Sequence, residues 1–269
     1  VITVTWVTRN DDHGGNLLPR IQASMDALGE WRQQGVDVEL VVVEWNPPPG
    51  KRLVDALEVP RCLPVRWYEV PMVVHRLFPN WERFALWNHI GTNVGMRRAR
   101  GDWVLATTHD ILWSHQLAQL LAEEAFNPGC FYRAPRYDGD LSFSKRQTVL
   151  ENIAEMESGE VERKDYEGRG FFSRSCGDFI LMSRERWEWM RGYPEWPING
   201  IWLDGLIMHI AQVGGLKQEV FPAPAYHMNH GRGGMEIYND LPHMPRPEYQ
   251  RVCAKMLKTR KVPIVNGAD

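Results

Sequence analysis

The sequence predicts an α/β fold: a single domain built on a mostly parallel β-sheet flanked by helices, with a loop-rich second half. Three observations point there. Short β-branched or apolar runs alternate with stretches of helical periodicity, the pattern of strand–helix–strand units. Polar or acidic residues follow several of those runs directly, where an open α/β sheet places its ligands. The length, 269 residues, suffices for one large domain of this kind.

The elements follow in order. Ile2 to Thr8 is a β-branched run ended by Arg9-Asn10-Asp11-Asp12, a strand and a polar loop. Leu17, Ile21, Met25 and Leu28 fall at helical spacing, so 17–31 reads as a helix, closed at Gly35. Val36 to Val43 is a buried strand, broken after Glu44-Trp45-Asn46 by three prolines. Val65 to Val70 is a third strand, Trp81 to Arg100 a helix, and Trp103 to Thr107 a fourth strand. Ser114 caps a helix that runs to Phe126 and stops at Asn127-Pro128-Gly129. Residues 138–175 are charged and glycine-rich and read as an insert: a helix over 147–158, then a mobile loop containing Gly168 and Gly170. Phe179 to Met182 is a strand, 184–190 a short helix, and Leu203 to Val213 a helix closed by Gly214-Gly215. From Pro222 onward the chain is loop-rich. The expected organisation is a nucleotide half over 1–112, an acceptor half over 113–235 and a tail over 236–269.

Composition narrows the function classes. With 31 basic and 34 acidic side chains the net charge is −3, which argues against a sequence-independent nucleic-acid binder. The four cysteines are widely spaced, read as reduced thiols and favour a cytoplasmic setting. No apolar run approaches the roughly 20 residues of a spanning helix. No signal peptide opens the sequence, and a start at Val1 rather than methionine is read as a trimmed start. The 12 tryptophans are mostly expected in the core, although their faces also suit sugar rings.

The most informative stretch runs from Asn93 to Asp110: a basic helix end, a glycine stop at Gly101, an apolar strand, and a carboxylate just beyond it. With Thr108-His109-Asp110 it resembles the corresponding region of GT-A-fold, family-2-like nucleotide-sugar glycosyltransferases, where the strand ends in Asp-x-Asp; here the first Asp is Thr108. The resemblance extends over about 220 residues, from Val4 to His230. It implies a Rossmann-like GT-A sheet and a nucleoside diphosphate sugar as donor. It also implies a divalent metal, Mn²⁺ or Mg²⁺, and an acceptor hydroxyl on a glycan or small molecule.

The site residues are implied on the same basis. Thr8, Asn10 and Glu44 match nucleotide-contacting positions at strand ends; a carboxylate such as Glu44 accepts hydrogen bonds from ring N–H or hydroxyl groups, its alternative being a solvated loop carboxylate. Asn93 and Arg97, four apart on one helical face, match donor contacts, against the plainer role of cations complementing a helix end. His109 is a further donor contact. Asp110 is the metal ligand, since the departing diphosphate needs a hard cation held by carboxylate oxygen. Thr108 leaves that set short, so His227, with His230 as the alternative, completes it; imidazole suits Mn²⁺ better than Mg²⁺. Asp204, at a helix start, matches the general base of inverting members, or is simply a first-turn carboxylate. Asp178 and Trp202 match sugar- or acceptor-binding positions.

Two enzyme alternatives lack their motifs. A sugar nucleotidyltransferase would open with Gly-x-Gly-x-Arg, which Arg9-Asn10-Asp11-Asp12-His13-Gly14-Gly15 does not match. A dehydrogenase would need Gly-x-Gly-x-x-Gly after the first strand. A non-catalytic sugar- or nucleotide-binding relative stays open, and donor turnover separates it from the enzyme.

Overall fold

The computed structural model describes residues 1–139, 148–159, 162–163, 166, 170–230 and 241–262. Strands β1 (Ile2–Thr8), β2 (Val38–Trp45), β3 (Val65–Val70), β4 (Trp103–Ala106), β6 (Cys130–Arg133), β9 (Ile180–Ser183) and β10 (Lys217–Val220) form one seven-stranded sheet in the order β10-β6-β9-β4-β1-β2-β3. Only β9 runs antiparallel to its neighbours. The fold class is therefore the expected one.

Helices cover both faces. In β1, Ile2, Val4 and Trp6 join the core cluster that holds Leu17, Ile21 and Met25 of α1 (Leu17–Gln33). The alternate residues face α4 (Asn88–Met96), where Gly91 and Gly95 let the helix backbone approach Val7 and Thr5. A second apolar layer, from Met182 and Phe131 to Leu206 and Ile210, packs α7 (Arg184–Met190) and α8 (Leu203–Val213) on the β9 side. The helix α5 (His115–Ala122) is capped by the Ser114 hydroxyl, which accepts from Leu117 N–H at 3.1 Å. In the insert, α6 (Val149–Ser158) starts with a capping box between Thr148 and Glu151.

A second, four-stranded sheet, order β5-β11-β7-β8, is built from β5 (Ile111–Trp113), β11 (Ala225–Met228), β7 (Arg136–Gly139) and β8 (Glu162–Arg163). It begins where β4 ends, so the chain crosses from one sheet to the other at Thr107–Asp110.

Several expectations are corrected. The helix expected over 81–100 is a 3-10 turn at Trp81–Arg83 followed by α4. Between them Phe84 and Trp87 adopt non-helical backbone and bury their rings against each other, centroids 4.1 Å apart. The second strand runs to Trp45, so Glu44 lies inside it, paired with Thr8 and Glu69. The α5 helix stops short of Phe126 because Glu124 takes a positive φ. The segment after Pro222 carries β11 and a C-terminal helix, α9 (Arg246–Thr259). Two four-residue helices, α2 (Leu53–Ala56) and α3 (Met72–His75), were not anticipated. Of the expected mobile loop, residues 160–161, 164–165 and 167–169, Gly168 among them, lie outside the described residues. Among the described residues no helix is long and apolar enough to cross a membrane.

Candidate functional site

The junction of the two sheets gathers the chemistry. Asp110 follows β4 and precedes β5, and its backbone carbonyl accepts from Met228 N–H at 2.9 Å. In the small sheet His227 pairs in register with Ile111 on one side and with Asp138 on the other. Pairing β11 between β5 and β7 thus sets His227 beside Asp110, and His230 returns to the same carboxylate two residues beyond the strand. His227 Nε2 lies 3.7 Å and His230 Nε2 3.3 Å from Asp110 Oδ2. One ligand atom from each of the three lies within 4.8 Å of the others.

The electrostatics suit a cation. Burial raises the Asp110 carboxyl, but the His230 hydrogen bond, the neighbouring His109 and His227 and the Thr108 hydroxyl outweigh it and hold the group well below the usual carboxylate range. Thr108 Oγ1 donates to Asp110 Oδ1 at 2.6 Å, so the residue standing where the family has its first Asp orients the second. His227 is pushed down to about 4, by burial first and then by Arg136 and His230 against the pull of Asp110, and is neutral at pH 7 as a metal ligand must be. One carboxylate and two imidazoles form a donor set that fits a divalent first-row metal.

Around this centre lie residues that the sequence did not single out. Arg20, 1% exposed, reaches from α1 to pair with Asp110 Oδ2 at 3.1 Å. Its other nitrogens donate to the carbonyls of His13 and Gly15, which ties the loop after β1 to the Asp110 carboxylate. Arg136 forms a bridge: Nε to Asp138 Oδ1 at 2.6 Å, Nη1 to Asp178 Oδ2 at 2.9 Å and Nη2 to His227 Nδ1 at 2.8 Å. The Arg-x-Asp spacing of Arg136 and Asp138, which places both on one face of a strand, was the available signal. Arg20 left no local signal, because its partner is 90 positions away.

The remaining expected residues fall into three groups. Thr8, buried, Glu44, buried, and Asn10 lie at the carboxyl ends of β1 and β2 or in the loop beyond. Both Glu44 oxygens accept from Leu53 N–H, at 2.9 and 3.0 Å, and burial pushes its carboxyl up to about 7. His109 stands beside Asp110; among the described residues its two buried ring nitrogens have no hydrogen-bond partner, and burial lowers its pKa, which favours the neutral ring.

Asn93 and Arg97 do not join the cluster. The Asn93 amide donates to the Tyr193 carbonyl and to Glu195 and accepts from Tyr193 N–H, clasping that turn. Arg97 pairs with Glu195 at 2.5 Å. Both line a cavity of about 410 Å³ beside Arg184 and Trp187. Arg97 precedes β4 and Asp110 follows it, so the length of that strand separates them.

The residues expected on the acceptor side form the third group. Burial pushes Asp178 up to about 6 against the pull of Arg136. Asp204 lies in the first turn of α8, where its Oδ1 accepts from Gly205 N–H at 2.8 Å. Trp202, the residue before α8, has a left-handed backbone (φ 73°), and its ring stacks on Tyr249 with centroids 5.3 Å apart. The loop carrying Asp178 is fastened by Arg133, which is 0% exposed. Its guanidinium donates to the carbonyls of Phe172, Arg174, Ser175 and Phe179, at 3.2, 3.0, 2.9 and 2.5 Å.

No protein-family model and no curated protein matches the sequence. Solved structures do match. The chain is similar to the mannosyltransferase PcManGT from Pyrobaculum calidifontis in complex with GDP-Man and Mn²⁺, with TM-score 0.53 and 17% identity over 97% of this chain and 65% of that one. It is similar to S. aureus TarS 1-349, with TM-score 0.54 and 12% identity over 84% of this chain and 60% of that one. TarS 1-349 in complex with UDP matches with TM-score 0.53 and 11% identity over 95% of this chain and 70% of that one. At such identities the likeness is one of fold: the chain has the GT-A fold of nucleotide-sugar glycosyltransferases. It spans 65% of the length of the mannosyltransferase and 60% of TarS 1-349.

Proposed function

We propose that the chain is a glycosyltransferase that moves a sugar from a nucleoside diphosphate donor to an acceptor hydroxyl. The observation that carries this is the convergence of Asp110, His227 and His230 at the carboxyl end of a GT-A sheet. Those three residues would hold a divalent cation, for which the Mn²⁺ of the similar mannosyltransferase structure makes Mn²⁺ the first candidate, and it would neutralise the diphosphate as it departs. Two of the similar structures hold GDP-Man with Mn²⁺ or UDP, in keeping with a diphosphate donor.

In this reading residues 1–112 form the nucleotide half. Thr8, Asn10 and Glu44 meet the nucleotide, and His109 offers its unpartnered nitrogens to the donor. Asn93 and Arg97 act at a distance, by fixing the turn at 192–195. Residues 113–235 form the acceptor half. Asp178 and Trp202 shape the acceptor side, and Asp204 removes the proton of the attacking hydroxyl, which makes the transfer inverting.

Calorimetry with GDP and UDP, with Mn²⁺ and with EDTA, tests the proposal. Binding should require Mn²⁺ and be lost in Asp110→Asn. The Arg20–Asp110 pair favours a second reading, donor binding without metal, because a fixed cation already neutralises the carboxylate. Equal affinity in EDTA and in Mn²⁺ would select it.

A further inference from the structure

The hydrogen bonds around His227 conflict with metal binding in an informative way. A guanidinium nitrogen can only donate. The 2.8 Å contact from Arg136 Nη2 therefore requires a lone pair on His227 Nδ1. The neutral ring then carries its proton on Nε2, the nitrogen facing Asp110. A cation at Asp110 needs that nitrogen's lone pair. The ring must then hold its proton on Nδ1, and a buried N–H needs an acceptor. One is in place: Asp138 Oδ1 lies 3.3 Å from Nδ1, and the Asp138 side chain is 5% exposed.

Resting on the metal reading above, we propose that Asp138 and Arg136 are opposed positioning residues for His227: Asp138 selects the ring form that binds metal, and Arg136 the form that does not. The two ring forms differ only in which nitrogen carries the proton. Arg136 also holds Asp138 and Asp178, so the donor that must release His227 is anchored to the acceptor-side carboxylate. Placement in the small sheet makes the arrangement local: His227 and Asp138 are register partners on adjacent strands, and Arg136 lies two residues before Asp138.

The test uses Mn²⁺ alone, titrated calorimetrically into the full chain, together with the imidazole ¹⁵N shifts of His227 in metal-free protein. The metal-free wild type should show the Nε2–H form. Asp138→Ala should weaken Mn²⁺ binding about 10–100-fold, the usual worth of a carboxylate behind a metal-bound histidine. Arg136→Lys keeps a cation between Asp138 and Asp178 but lacks the planar fork that reaches Nδ1 as well. It should bind Mn²⁺ at least as tightly as wild type, whereas a merely structural role would weaken both variants.

Wild-type affinity in Asp138→Ala, a tenfold loss in Arg136→Lys, or an Nδ1–H ring in metal-free protein would each overturn the proposal. If Asp138→Ala does not fold, Asp138→Asn carries the same question: an uncharged acceptor should still cost affinity, and none lost overturns it. A wild type that binds no Mn²⁺ overturns the metal reading and this proposal with it. That case is distinct, because the ring form is read without metal.

Discussion

Replacing Glu44 by Gln should stabilise the protein at pH 8 and leave its stability nearly unchanged at pH 5. The carboxyl is 3% exposed, and its pKa rises from 4.5 to about 7, through burial first and then Glu69 and Asp55, against the Leu53 N–H and Arg52. A raised acid pKa means that between about pH 4.5 and 7 the native state holds a proton that the unfolded chain has released. Stability from this group therefore falls as pH rises through that window and is flat above it. The difference corresponds to about 3 kcal/mol at pH 8. Gln keeps an oxygen for the Leu53 N–H and cannot ionise, so it recovers most of that cost. Urea unfolding at both pH values measures the gain as a shift in midpoint with unchanged slope. An equal shift at pH 5 and pH 8, or a loss at pH 8, would refute the buried-charge account. If Glu44 meets the nucleotide as proposed, the same variant loses donor affinity while gaining stability.

Three further outcomes are expected. Asp204→Asn should lower transfer to an acceptor by about 10²–10⁴, with donor affinity little changed; near-normal turnover would remove it as the base. Arg133→Met leaves four carbonyls without their donor and should cost at least about 3 kcal/mol in urea unfolding. Gly91→Ala would place a Cβ 2.6 Å from Val7 Cγ1. It should destabilise by about 1–3 kcal/mol despite the better helix propensity of Ala, and a stabilised variant would show that α4 can shift.

Strands β1, β2 and β4 were legible because strands buried on both faces are rich in β-branched and apolar residues along their length, and that pattern needs no partner to be recognised, whereas β3, a half-exposed edge strand with Arg66 and Glu69, was legible from its partial alternation. Asp110 was legible for a related reason, as a carboxylate that directly follows such a strand. The small sheet was not. Its strands are two to four residues long, and β11 and β7 carry His227, Arg136 and Asp138 on a polar face that reads locally as loop. At β6 a fully buried Arg133 hides a core strand, since its acceptors lie 39–46 positions downstream. Arg20 was obscure for the same reason, lying 90 positions before Asp110. Only chain topology brings them together.

The hub at Arg133 also sets how this region opens. A loop held by its own ladder can fray one residue at a time. Here a single side chain serves carbonyls spread over Phe172 to Phe179. Releasing one segment strands a buried cation, so the remaining bonds have little reason to persist alone. The loop should therefore behave as one cooperative unit, with backbone amides that exchange with solvent at a shared free energy of opening rather than in a gradient. Phe172 N–H, held by Gln218, and Asp178 N–H, held by the Ser175 carbonyl, sit near the two ends of that unit and should gain or lose protection together.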